Sequence, residues 1–205
     1  MKNDLIFLFD LDSTITKVEI LPEISKMINA EKRMCQLTED TMKGIIPFKY
    51  SFLKRVDILK NIDVDTVAQK IYEIPLNEHI VDFIKNNKER CYVVTGNLDI
   101  WIRLLMKRIG MEKHCICSRT KSTEGKLESV VSVLDKGKEV EQFVHPFVAI
   151  GDGDNDSEMA RLSKIAIGFG GVRNIAPSLL ANIDYAFYNE ERLAEFLWKL
   201  VKEDN

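Results

Sequence analysis

The chain has 205 residues, 45% of them hydrophobic and 30% charged, with a formal net charge of −3. That length suits one large domain, or a core with a small accessory domain, and the apolar share is ample for a packed interior. No run of five or more Lys and Arg marks a nucleic-acid surface. The longest early apolar run, "LIFLF", is too short to cross a bilayer or to form a signal-peptide core, so the expectation is a cytoplasmic protein with neither nucleic-acid nor membrane partners.

Taken from the start, residues 5–9 predict a buried strand that runs straight into Asp10 and Asp12. Residues 17–75 carry no strand pattern and read as helices: Ile20, Ile24, Met27 and Ile28 form one stripe, Phe52, Val56 and Leu59 a second, and Val67, Ile71 and Ile74 a third, with Gly44 and Pro47 interrupting after the first. Pro75 marks the return. Further strands are predicted at 91–94, 114–117, 147–150, 165–167 and 185–187, and a hairpin over 122–130 turning at Glu124 and Gly125. Between them lie amphipathic helices; "DIWIRLLMKRIG" ends on Gly110 as a C-terminal stop. Strands alternating with helices predict an α/β fold with a mostly parallel sheet covered on both faces. An all-helical insert after the first strand is most simply a cap, giving a core of 1–16 and 76–205 and a cap of 17–75. Of the four cysteines, Cys115 and Cys117 fit one face of a strand as small core residues.

Three strand ends carry chemistry. "DLDST" places two carboxylates one residue apart; in an extended segment they share a face, and a divalent cation would relieve their repulsion. A loop with Ser13 and Thr14 as helix caps fits the same letters. "FVAIGDGDNDSEMA" repeats the arrangement with Asp152, Asp154, Asn155 and Asp156, and its glycines allow a tight turn. An EF-hand register fails, because the positions needing Gly and Glu hold Ser157 and Ser163. In "CYVVTGNLD" a hydroxyl at Thr95 and the backbone around Gly96 could hold phosphate oxygens or simply cap a helix. Lys136 precedes a further helix start. A carboxylate nucleophile, a second carboxylate, a cation site, amide donors and a lysine together are what phosphoryl transfer requires.

The order DLDST, TGN, Lys136, GDGDND resembles the haloacid dehalogenase superfamily of aspartate-nucleophile phosphotransferases, which implies a Rossmann-like parallel sheet flanked by helices. The resemblance assigns Asp10 as the nucleophile that becomes an aspartyl phosphate and Asp12 as general acid and base. It assigns Asp10, Asp12 through its backbone carbonyl, Asp152 and Asp156 to Mg2+, and Ser13, Thr95, Gly96, Asn97, Lys136 and Asn155 to the phosphate. The insert is similar to the cap of phosphoserine phosphatases: Glu19 matches a glutamate that meets the substrate ammonium, Arg55 an arginine that grips its carboxylate, and Met42 and Phe48 apolar residues over the substrate. The implied activity is Mg2+-dependent hydrolysis of a small phosphorylated metabolite, phosphoserine foremost. Transfer to an alcohol such as homoserine is the alternative, and a receiver domain or a non-catalytic binding protein are rivals of another class. Two departures lie at the substrate end: Thr-Gly-Asn stands where those phosphatases have Ser-Gly-Gly, and the stretch from Lys136 to Asp152 is shorter.

Overall fold

The computed structural model describes residues 5–204, with the side chains of Met42 and Asp204 outside that description. The strands are β1 (Ile6–Phe9), β2 (Cys91–Leu98), β3 (Cys115–Thr123), β4 (Lys126–Ser132), β5 (Phe147–Gly151), β6 (Ile165–Phe169) and β7 (Tyr185–Phe187). The helices are α1 (Ile20–Ser25), α2 (Glu31–Met42), α3 (Phe48–Leu59), α4 (Val64–Tyr72), α5 (Glu78–Asn86), α6 (Asp99–Ile109), α7 (Lys136–Val140), α8 (Ser157–Leu162), α9 (Pro177–Leu180) and α10 (Glu190–Asp204).

One seven-stranded sheet runs β4-β3-β2-β1-β5-β6-β7. Every pair is parallel except the β3–β4 hairpin. β1 lies at the centre, where the order reverses direction, so the carboxyl ends of β1, β2 and β5 open side by side. In open α/β sheets that crevice is where ligands bind. Alternation along β1 explains why its apolar run is unbroken: Phe7 and Phe9 pack into one cluster, Ile6 and Leu8 into another on the opposite face. Phe7 meets the edge of Phe83 on α5 at 5.1 Å, and Phe83 in turn meets Trp198 on α10 at 5.2 Å. The hairpin turns through Glu124 and Gly125, both at positive φ (51° and 75°), as a two-residue turn with the twist of its strands demands. Gly110 ends α6 at φ 74°.

Chain leaves and re-enters the core at one neck: Thr16 bridges Leu76, Lys17 N–H donates to Pro75 O at 2.8 Å, and Asn77 N–H donates to Ile15 O at 2.9 Å. Between those points lie α1 to α4.

Three expectations need correction. The stripe from Ile20 to Ile28 is not one helix: α1 stops at Ser25, a 3-10 turn follows, and Asn29 takes a left-handed conformation at φ 55°. Met27 and Ile28 are therefore 42% exposed instead of packed. The polar helix α2 had no stripe to announce it, since its fully buried apolar side chain is Met34. β2 continues four residues past Val94, because Thr95 and Leu98 pair with Cys117 and Ser118 on β3 across an irregularity at Gly96 and Asn97. Cys115 and Cys117 do lie together on β3, half-buried and buried. Among the described residues no helix is long and apolar enough to cross a membrane.

Candidate active site

Past Phe9 the chain stays in register for one more bond, Asp10 N–H to Ile150 O at 2.8 Å. It then turns sharply, with Ile15 and Thr16 both donating to Leu11 O at 3.0 Å and Ser13 at φ 56°. This turn changes the expected geometry. Asp10 and Asp12 do not follow one another along an extended strand, and their carboxylates take separate partners. Asp12 Oδ1 accepts from Ile20 N–H at 2.9 Å, at the start of α1, and its Oδ2 accepts from the Asn97 amide. Asp10 Oδ1 accepts from the Lys136 ammonium.

The second acidic end builds the rest of that pocket. Lys136 Nζ also donates to Asp156 Oδ1 at 2.5 Å, so one buried ammonium holds two carboxylates. Asp156 Oδ2 accepts the backbone N–H groups of Asp152 and Gly153 at 3.1 and 2.9 Å. Gly151 makes this fold-back possible: a Cβ there would stand 2.4 Å from Asp156 Cγ. Asp10, Asp152 and Asp156 thereby offer ligand oxygens within 4.8 Å of one another. Three hard oxygen donors in a buried cluster fit a divalent cation of the Mg2+ or Ca2+ kind; the carboxylate of Asp12 is not among the three.

β2 supplies Thr95, Gly96 and Asn97. The Thr95 hydroxyl is buried and accepts Asn97 N–H at 3.1 Å. Gly96 lies under the ring of Phe48, where a Cβ would meet Phe48 Cζ at 2.5 Å, and its carbonyl accepts from Ser118 Oγ at 2.6 Å. Asn97 turns its amide to Asp12, and its Oδ1 is buried with no partner among the described residues. Ser13, expected at the phosphate, instead gives its hydroxyl to Glu19 Oε1 at 2.7 Å.

Above these ends α1 to α3 close a cleft of about 540 Å3, open mouth included, whose walls include Asp10, Asp12, Asp152, Glu19, Arg55 and Arg173. Phe48 and Asn155 also line it, as does Asp154, whose carboxylate accepts from Ser178 Oγ at 2.5 Å. Arg55 on α3 is buried: its Nη1 donates to Thr38 Oγ1 at 3.3 Å, and its Nε has no partner among the described residues. Sequence reasoning did not find Arg173. It follows β6, and its Nε donates to Asp152 Oδ2 at 2.5 Å while Nη1 pairs with Glu19 Oε1 at 2.9 Å. The available signal was a fourth strand end, "IAIGFGG", with the same apolar-run-then-glycine form as β5.

Electrostatics follow from burial. Desolvation raises the Asp10 carboxyl well above the ordinary range, against the pull of Lys136. Burial and Glu19 push Asp12 up to about 7, although Ile20 N–H, Arg55 and Arg173 favour its ionised form. Burial lifts Asp152 to about 8 against Arg173. Burial lowers Lys136, but Asp10 and Asp156 more than offset it and hold the ammonium above its usual value. A carboxyl that titrates near neutrality, as Asp12 does, is suited to pass a proton in either direction, and Lys136 draws Asp10 toward its ionised form against its burial.

The profile of the haloacid dehalogenase-like hydrolases matches residues 7–161. The phosphoserine phosphatase of Methanocaldococcus jannaschii is 30% identical over 183 residues, covering 82% of this chain and 86% of its own length. That of Idiomarina loihiensis is 24% identical over 214 residues, covering 97% and 94%. A solved substrate-bound phosphoserine phosphatase complex superposes with a TM-score of 0.82 at 27% identity, covering 97% of this chain and 99% of that one. A phospho-aspartyl intermediate analogue of phosphoserine phosphatase gives a TM-score of 0.80 at 27% identity, covering 95% and 98%.

Proposed function

The chain belongs to the haloacid dehalogenase-like hydrolases and is a phosphatase of that family, similar to phosphoserine phosphatases, and from that premise we propose that it hydrolyses phosphoserine, or a closely similar amino-acid phosphate, through an aspartyl phosphate on Asp10. The observation that carries the chemistry is the convergence of Asp10, Asp152 and Asp156 within 4.8 Å, with Lys136 holding two of them. The observation that carries the substrate is Arg55, a buried guanidinium whose Nε has no partner among the described residues, in the wall of the same cleft as Glu19. A carboxylate would satisfy the fork of the first and an ammonium the charge of the second.

In the first step an oxygen of Asp10 attacks phosphorus. The bond from phosphorus to the serine oxygen breaks, and Asp12 gives that oxygen its proton. In the second step Asp12 takes a proton from water, the water oxygen attacks phosphorus, and the bond to Asp10 breaks, releasing phosphate. Asn97 and Ile20 N–H hold Asp12 in place for both transfers. Lys136 fixes Asp10 and offsets negative charge beside it. Asp10, Asp152 and Asp156 would hold Mg2+, which when bound offsets the charge of the phosphoryl oxygens. Residues 17–75 serve as a cap that closes over the substrate and excludes bulk water, and Thr95, Gly96 and Asn155 would hold the phosphate oxygens.

The test is a screen of small phosphorylated metabolites with Mg2+ on wild type and Asp10→Asn. Phosphoserine should be among the best substrates, and Asp10→Asn should abolish turnover of phosphoserine and of a generic aryl phosphate alike. Full aryl phosphatase activity in that variant would overturn Asp10 as nucleophile. Turnover of aryl phosphate without turnover of phosphoserine would overturn the substrate.

A further inference from the structure

Arg173 belongs to neither acidic strand end, yet it touches both halves of the cleft. Its Nε is bonded to Asp152 Oδ2 at 2.5 Å, in the three-carboxylate cluster, and its Nη1 is paired with Glu19 Oε1 at 2.9 Å, on the helical side. The same Glu19 oxygen takes the Ser13 hydroxyl at 2.7 Å. Among the described residues both contacts to the Glu19 carboxylate thus fall on Oε1 and none on Oε2, although Glu19 lines the cleft. Glu19 repels both Asp12 and Asp152 across the cleft, and Arg173 is a cation that acts on all three. Glu19 has the longest side chain of these acids. Without the guanidinium it is the one that can swing away from the other two toward solvent.

We infer that Arg173 is a positioning residue for substrate discrimination: one guanidinium ties Glu19 to the metal-cluster carboxylate Asp152 and so fixes where the second Glu19 oxygen meets the substrate ammonium. The fork of an arginine suits this task, because Nε and Nη1 address two acceptors in a fixed relative geometry that a lysine point charge does not reproduce. The inference rests on the reading of Glu19 given above and extends it to a residue outside the four motifs.

The test measures kcat/KM for phosphoserine and for 3-phosphooxypropanoate, the same molecule without its amine, in wild type, Glu19→Gln, Arg173→Met, Arg173→Lys and the Glu19→Gln/Arg173→Met double variant. The ratio of the two substrates cancels changes in metal loading and in folded fraction. Arg173→Met should lower the ratio about tenfold, close to Glu19→Gln, Arg173→Lys should restore little of it, and the double variant should fall no further than Glu19→Gln alone. An unchanged or raised ratio in Arg173→Met while Glu19→Gln lowers it overturns the positioning role alone; a raised ratio would make Arg173 a competitor of the ammonium. An unchanged ratio in Glu19→Gln overturns the reading of Glu19 and this inference with it.

Discussion

Replacing Lys136 by methionine removes one charge and keeps most of the stem. The ammonium it removes holds Asp10 and Asp156, with both side chains and its own almost wholly buried. Removing one partner of a buried ion pair costs about 3–5 kcal/mol. For a chain of this length each kcal/mol is worth about 2–4 °C in Tm, which gives a loss of about 6–20 °C. The ionised carboxylates left behind would take up protons instead, so the penalty must depend on pH. Lys136 titrates above its ordinary value and is charged in wild type throughout the acid and neutral range, so its own contribution there is constant. In the variant, if one carboxyl is rescued by a proton, the destabilisation should shrink by about 2.7 kcal/mol on going from pH 7.5 to 5.5, at 1.36 kcal/mol per pH unit. Thermal unfolding followed by circular dichroism in chelator at the two pH values measures both quantities, and added Mg2+ should restore part of the lost Tm at pH 7.5. A variant within about 1 kcal/mol of wild type at pH 7.5 in chelator, or a penalty that ignores pH, would refute the reasoning.

Wild type without metal should show the related slope. Asp10, Asp12 and Asp152 all have raised folded-state pKa values, so the folded chain binds more protons than the unfolded one between their ordinary value near 4 and about 8, and stability should fall as pH rises through that window. Mg2+, which binds ionised carboxylates, should flatten or reverse the trend; a Tm in chelator that climbs steadily toward pH 8 would contradict this. Arg55→Ala should lower kcat/KM on phosphoserine about 100-fold, the equivalent of about 3 kcal/mol for a buried charge pair, and leave an aryl phosphate within about threefold. Equal losses on both substrates would remove Arg55 from recognition. Gly96→Ala should push the Phe48 ring from its place over β2, cost about 1–3 kcal/mol as overpacking does and raise KM. Phe48→Leu in the same chain should relieve it, and no relief would place the clash elsewhere.

The parts of the fold that were legible in the sequence are those fixed by local pattern. β1, β5 and the turn at Glu124 and Gly125 follow from apolar runs and turn chemistry. Met27 and Ile28 were misread because periodicity does not register a left-handed residue such as Asn29, and α2 was missed because a helix buried through Thr38, Thr41 and Met34 has little apolar contrast. At the site, Asp10, Asp152, Asp156 and Lys136 are recognisable by residue type and order, and the fold brings them together. Asp12 is a different case. Its letters suggest that it shares a cation with Asp10, and only the turn after Leu11 directs it to Ile20 N–H and Asn97. Arg173 was invisible because its meaning lies in two contacts, Asp152 and Glu19, that are 21 and 154 residues away along the chain.

The neck at Thr16 and Leu76 has a mechanical consequence. The segment between these residues begins and ends at hydrogen-bonded neighbours, so the sheet sees it as a loop of almost no span, whatever it contains. Lengthening such a loop costs only about 0.6 kcal/mol per doubling in closure entropy. The helical layer is thus tied to β1 by packing and not by chain closure: a change in its length is tolerated where the apolar faces it shares with the core, such as Val67 and Ile71, are kept, while Asp10, Asp152 and Lys136 stay where the sheet holds them. Selectivity for the substrate can drift in that segment, provided the backbone at Ile20 that holds Asp12 is kept.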